Sequence, residues 1–371
     1  MARAKPAPVS VWRQKTVAYF LTNAPHYPEY VDESYWPGDA ERRAMAGAHT
    51  VRMGEFAWHP WQPYEGHLSF DVFDRAIDVL GHAGVKTVLC TPTATPPRWL
   101  TAHYPEVLRV DAQGRHAGHG SRQHADTTSP VFRRHSQRIT KAIADNCRDN
   151  PHVVGWQTDN ELNTAASESC SPSARLAFQT WLHLHYSDIS VLNYACPGAF
   201  WALAYDTFEQ IDLPRPMAAS FLSPGHVQAY HRFLAAVTAA FQHDQIEILR
   251  ATNPDFTGFD IYPIPYDEFR RFRGHAYAKA RPLDTSRAAT GNFLIPEQAS
   301  GFGRQPGFST MTPEPAEIPQ IGVIDHYDVP CHRYHDASQF FGEMHWLESQ
   351  IPGTHVRMDL AGHGLAQVRR N

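Results

Sequence analysis

Apolar and polar positions along this chain fall into two alternating rhythms. Short apolar runs read as buried strands: Thr16–Thr22, Thr50–Phe56, Lys86–Cys90 and Val153–Thr158. Between them lie segments with helical spacing. Trp36–Gly47 is one. Asp71–His82 is another, with Val72, Phe73, Ala76, Ile77 and Leu80 on one face and Gly84 to close it. Pro130–Asn146 starts on a proline, with Ser129 placed to cap it. Ser173–His185 and Val227–Arg250 read as further helices, and Asp260–Ile264 and Asn292–Pro296 as short strands.

An order of strand, helix, strand, helix predicts a parallel sheet. Polar and aromatic residues gather after the strands: Glu55, Trp58 and Trp61 after the second, Thr91 to Trp99 after the third, Glu161 after the fourth. One functional rim at the strand ends is the pattern of an α/β fold of the (β/α)8 TIM-barrel kind. A doubly wound sheet is the alternative, but no Gly-x-Gly-x-x-Gly follows the first strand. The Gly-, Pro- and Ser-rich stretch from Pro296 to Pro319 reads as a loop.

Composition narrows the picture. The 371 residues suffice for one large domain or two ordinary ones. A net charge of −5 gives no basic excess, so neither nucleic acid nor an anionic membrane is an expected partner. The five cysteines are dispersed and form no Cys-x-x-Cys pair, which points to a reducing compartment, here the cytoplasm. No secretory leader and no membrane-length apolar run are read in the sequence. Nine tryptophans suit stacking on sugar rings or, as often, a large core.

The fourth strand ends in Asp159-Asn160-Glu161. An amide and an acid at a strand end suit sugar cleavage, in which the acid donates a proton and the amide holds a hydroxyl. They equally suit the cap of a following helix. A second apolar run, Phe293-Leu294-Ile295-Pro296, ends in Glu297. Alone, Glu297 is as well explained as a solvated loop acid. Two carboxyl groups about 5–5.5 Å apart make a retaining glycosidase, and a gap of about 6.5–9.5 Å makes an inverting one.

Ordered motifs then carry a resemblance. They are Tyr27-Pro28-Glu29, Val51-Arg52-Met53-Gly54-Glu55-Phe56-Ala57-Trp58, Thr91 to Leu100, Tyr104-Pro105-Glu106, Gly120-Ser121-Arg122 and Asp159-Asn160-Glu161. Trp181-Leu182, Leu192-Asn193, Phe200-Trp201, Asp260-Ile261-Tyr262-Pro263 and Glu297-Gln298 come next. In this order they resemble the catalytic barrel of glycoside hydrolase family 42, the bacterial β-galactosidases. The resemblance implies Glu161 as general acid/base and Glu297 as nucleophile. It implies that Asn160 binds the sugar 2-hydroxyl, that Arg122 lies near the nucleophile and the sugar and helps keep Glu297 ionised, and that Tyr262 stands close to the nucleophile. Trp58 and Trp61 are candidates for the pocket wall, Trp61 equally for the core. The implied substrate is a small β-galactoside, with an α-L-arabinopyranoside as the alternative specificity. No cofactor is needed.

The chain also departs from the family. Some members hold zinc with four cysteines. Here Gln123-His124-Ala125-Asp126 lacks cysteine and the later region has only Cys170, so no structural zinc is expected. After Asp255 the chain runs through Phe256-Thr257-Gly258 almost directly into Asp260, about one βα step short. After Thr312-Pro313-Glu314-Pro315 the segment Ala316-Glu317-Ile318 leads straight on to Ile324-Asp325-His326-Tyr327, without the last strand and its sugar ligands. The expected domains are a catalytic barrel over 1–335 and a remnant or tail over 336–371, unstructured from Gly362 onward. Family trimers rely in part on sequence beyond the barrel, which puts a homo-oligomer in question. A barrel with its sixth and eighth strand regions cut back leaves a second function open: a weak or inactive carbohydrate-binding relic.

Overall fold

The computed structural model describes residues 23–162, 168–196, 202–215, 223–252, 357–361 and 365–369. The strand expected at Thr16–Thr22, the segments at Asp260–Ile264 and Asn292–Pro296, and both shortened regions lie outside the described residues. So do Tyr262, Glu297 and Cys331.

Four strands form one parallel sheet in sequence order: β1 (Asn23–Pro25), β2 (Thr50–Met53), β3 (Lys86–Cys90) and β4 (Val153–Gln157). Helix α1 (Trp36–Met45) connects β1 to β2, α2 (Asp71–His82) connects β2 to β3, and α3 (Pro130–Asn146) connects β3 to β4. Helices α4 (Pro172–His185) and α5 (Pro224–Thr252) come after β4. Adjacent parallel strands in chain order, each joined to the next by a crossover with a helix, make the opening half of a (β/α)8 barrel.

The helices begin where their caps dictate. The Ser129 hydroxyl accepts from the Phe132 amide at the start of α3, and the Ser171 hydroxyl accepts from the Ala174 amide at the start of α4. Proline stands at the start of each, where no intrahelical donor is lost. The apolar face of α2 buries Phe73, Ala76, Ile77 and Leu80. These side chains share a core with Val51, Met53 and Leu89 of the sheet and with Phe132, Ile139 and Ile143 of α3, apart from Ala76, which packs with Val31 and Trp36. Full burial of each large apolar side chain is worth about 1.5–3 kcal/mol. α5 packs on α3 by stacking Phe241 on Phe132, with ring centroids 5.5 Å apart, and by an Arg133–Asp244 ion pair. A second core joins α4 and α5 through Phe178, Leu182, Tyr230 and Phe233.

Trp58 and Trp61 are core residues, not pocket walls. Both are buried in a single helical turn, Trp58–Trp61. The Trp58 indole donates to the Gln62 side-chain oxygen at 3.1 Å, and Trp61 packs on Phe73 with ring centroids 4.3 Å apart. Gly54, at φ +99°, lets the Trp61 ring lie where a β-carbon would be.

The β3–β4 pairing is irregular. Thr87 pairs with Val153 but Val88 pairs with Gly155, leaving Val154 as an extra residue. Such a bulge re-aims the side chains beyond it. At the chain's end, Arg357–Ala361 and Leu365–Arg369 pair as an antiparallel hairpin. That local structure differs from the unstructured tail expected from Gly362 onward. Among the described residues no helix is long and apolar enough to cross a membrane.

Candidate active site

The end of β4 is an unusual piece of backbone. Asp159 and Glu161 both lie at positive φ, +57° and +45°. Non-glycine residues avoid this region, and holding them there costs on the order of 1–3 kcal/mol each. Facing them, Ser121 and Gln123 are at φ +58° and +60°. Four left-handed residues therefore sit in two segments that touch. The Gln123 side-chain amide donates to the carbonyls of Asn160, at 3.0 Å, and Glu161. The Gln123 amide N–H is itself tied to the Ala94 carbonyl at 2.7 Å.

A buried hydroxyl network locks the turn from below. The Asp159 amide donates to the Thr91 hydroxyl at 2.7 Å, and the Thr91 hydroxyl donates to the side-chain oxygen of Gln245 on α5. The Thr93 hydroxyl donates to the Asp159 carboxylate, which also accepts from the Asn160 amide at 2.7 Å. Asn160 and Glu161 do not cap a described helix. The next one is α4, and Ser171 caps it.

Arg122 and Glu161 meet as an ion pair, Nη1 to Oε2 at 2.6 Å. The Glu161 side chain is 6% exposed and that of Arg122 42%, so the carboxylate lies inside and the guanidinium reaches the surface. The Arg122 guanidinium lies over the Phe56 ring, 5.5 Å from its centroid. Arg122 was expected beside Glu297. Its described partner is Glu161, and Glu297 and Tyr262 lie outside the described residues. The structure thus brings together Arg122, Asn160 and Glu161 of the five expected site residues.

A second charged pair stands behind the site, and sequence reading missed it. Arg52 Nη2 donates to Glu55 Oε1 at 2.7 Å, and the Tyr27 hydroxyl donates to the same oxygen at 2.9 Å. Both charged side chains are fully buried. A signal was present: an arginine inside an apolar strand with a glutamate three residues on. Buried charges require partners. Contacts then close a ring around the site. They run from Glu161 through Arg122, Phe56 and Tyr27 to Glu55, then through Arg52 and Gln157 to Asn160.

In the region where the resemblance implies zinc for some family members, the described side chains are engaged with one another. Asp126 accepts hydrogen bonds from the hydroxyls of Ser169 and Ser171 and from the Thr128 amide. Burial pushes the Cys170 thiol up, away from the thiolate that binds zinc. One thiol among hydroxyls is not a zinc donor set.

Burial pushes the Asp159 carboxyl up to about 6, against the Thr93 and Asn160 hydrogen bonds and the Arg109 charge, which act in the opposite direction. A carboxyl whose pKa is raised by folding binds its proton more tightly in the native state. The contribution of Asp159 to stability therefore falls as pH rises from the ordinary carboxylate range to about 6, then levels. The Asp159→Asn variant lacks this titration. The stability of wild type relative to that variant is expected to drop by on the order of 2 kcal/mol between about pH 4 and pH 7. Urea unfolding at both pH values measures it, and a difference that does not change with pH counts against the assignment.

Residues 25–283 match the glycoside hydrolase family 42 profile, described as "Beta-galactosidase". A β-galactosidase of Thermus thermophilus is 36% identical over 312 residues, covering 74% of this chain and 48% of that protein. The β-galactosidase BgaH of Haloferax lucentense is 38% identical over 232 residues, covering 62% of this chain and 35% of that protein. The chain thus spans about half the length of the curated relatives it matches, or less. Among solved structures, a β-galactosidase from the psychrophilic Marinomonas ef1 superposes with a TM-score of 0.79 at 25% identity, covering 89% of this chain and 60% of that one. A β-galactosidase from Halorubrum lacusprofundi gives 0.79 at 27% identity, covering 91% and 60%. Their (β/α)8 barrel is the fold of this chain, and the four described strands are part of it.

Proposed function

Because the chain belongs to glycoside hydrolase family 42, we propose that it is a retaining β-galactosidase that removes terminal β-D-galactose from small β-galactosides. The observation that carries the proposal is the strained end of β4, which holds Asn160 and Glu161 beside Arg122, whose guanidinium reaches the surface. Strain of this kind persists where function requires a fixed geometry.

Two displacements account for the chemistry. In the first, a carboxylate oxygen of Glu297 attacks the anomeric carbon. The bond to the leaving oxygen breaks, and that oxygen takes the proton of Glu161. Arg122 donates to Glu161 Oε2 and can accept nothing, so the proton that is given away belongs on Oε1. In the second, Glu161, now a carboxylate, takes a proton from water. The water oxygen bonds to the anomeric carbon and the bond to Glu297 breaks. The Arg122 guanidinium stabilises the Glu161 carboxylate from which this second step starts. Asn160 holds the sugar 2-hydroxyl and Tyr262 steadies Glu297. The proposed setting is the cytoplasm.

The shortened regions after Asp255 and Pro315 favour a second reading, a carbohydrate-binding relic. Hydrolysis of an aryl β-galactoside, run beside an aryl α-L-arabinopyranoside, separates the cases. The proposal predicts turnover of the galactoside, abolished in Glu297→Gln. Faster turnover of the arabinopyranoside assigns the other specificity, and folded protein that binds galactose but turns over neither substrate is the relic.

A further inference from the structure

Asn160 is held by its neighbours in one of the two orientations open to an amide, and the chemistry of the contacts decides which. Glu55 fixes Arg52 with a 2.7 Å bond. Arg52 Nη1 then reaches the Gln157 side chain at 3.4 Å. A guanidinium only donates, so the Gln157 atom facing it is the oxygen, Oε1. At the other end of the Gln157 amide lies the Asp159 carbonyl, 3.0 Å away. A carbonyl only accepts, so the atom facing it is Nε2. Both ends agree, and Gln157 has no choice of orientation. Its Nε2 also faces the Asn160 side chain at 3.5 Å, as a donor to Oδ1. Asn160 Nδ2 is thereby turned away from Gln157.

We infer that Gln157 is a positioning residue that fixes Asn160 as a hydrogen-bond donor to the substrate, with the buried Arg52–Glu55 pair fixing Gln157 in turn. The inference rests on the proposed galactosidase reading for what the donor meets: the oxygen of the sugar 2-hydroxyl. It accounts for a feature otherwise without a purpose, a buried ion pair directly behind a strand end. Uncompensated, such a pair contributes little to stability. As the anchor of an amide's orientation it contributes a defined donor. The Val154 bulge belongs to the same arrangement, because it sets the phase in which Gln157 leaves the sheet.

Neutron diffraction of the wild-type protein, which locates deuterium, tests the orientation directly. Oδ1 of Asn160 is expected toward Gln157, and Nδ2 in that place overturns the inference whether or not the protein turns over any galactoside. The Gln157→Glu variant then tests the consequence. It keeps size and shape but offers only acceptors, so the Asn160 amide is expected to rotate and present Oδ1 to the sugar. Turnover of an aryl β-galactoside is expected to lose roughly a hundredfold in kcat/KM, while the aryl 2-deoxy-β-galactoside changes less than about threefold. Gln157→Met, which removes the donor without adding charge, is expected to show the same contrast at smaller size. Equal losses on both substrates in both variants indicate a merely structural role and overturn the inference. Absence of turnover by wild type, with Oδ1 facing Gln157, sinks the galactosidase reading and leaves the orientation standing.

Discussion

Glu161→Gln is expected to lower kcat/KM for an alkyl β-galactoside by roughly 10²–10⁴-fold, the usual contribution of a general acid. The fold should be untouched, because glutamine still offers Arg122 an acceptor where Oε2 stood. The loss depends on the leaving group. A nitrophenolate departs without a proton, so the first displacement on its galactoside should keep most of its rate. Glutamine cannot take the proton of water, so the second displacement should stall and product should appear as a burst. Azide needs no base and should restore turnover, releasing β-galactosyl azide. Steady-state and burst kinetics on the two substrates measure all of this. Equal losses for both leaving groups, with no burst, would remove Glu161 from the acid/base role.

The second large effect concerns stability. Arg52→Met leaves Glu55 fully buried with the Tyr27 hydroxyl as its described hydrogen-bond partner. Stranding one partner of a buried pair costs about 3–5 kcal/mol. Total stability is only about 5–15 kcal/mol. The single variant should therefore be close to unfolding at room temperature. Arg52→Met with Glu55→Leu should recover most of the loss, because apolar replacements of similar volume are close to neutral for such pairs. Urea unfolding of the two variants decides. A single variant that loses under about 1 kcal/mol would show that the pair is reached by water.

The features legible in the sequence were local. α2, α3 and β3 begin and end where their periodicity, caps and breakers predict, because those signals lie within the element itself. The parallel order of the sheet came from the alternation of strand and helix. The features hidden from it depend on residues far apart in the chain. Gln245 meets Thr91 across 154 positions of sequence, and Thr91 in turn holds the Asp159 amide of the β4 turn. Trp58 and Trp61 became core only because α2 and α3 cover them with Phe73 and Phe132. The bulge at Val154 arises from pairing with β3, and no residue of β4 announces it. The left-handed backbone at Asp159 and Glu161 is likewise imposed from outside, by Thr91, Thr93 and Gln123. Arg122 was legible as a site residue through the resemblance, and the structure places it against Glu161.

Trapping the intermediate tests double displacement most directly. A 2-deoxy-2-fluoro-β-galactosyl donor with a good leaving group is incubated with the protein, and the labelled peptide is sequenced by mass spectrometry. One fluorogalactosyl group per chain, esterified to Glu297, is the predicted result. A label on another residue, or none on folded protein that hydrolyses the parent galactoside, would contradict it.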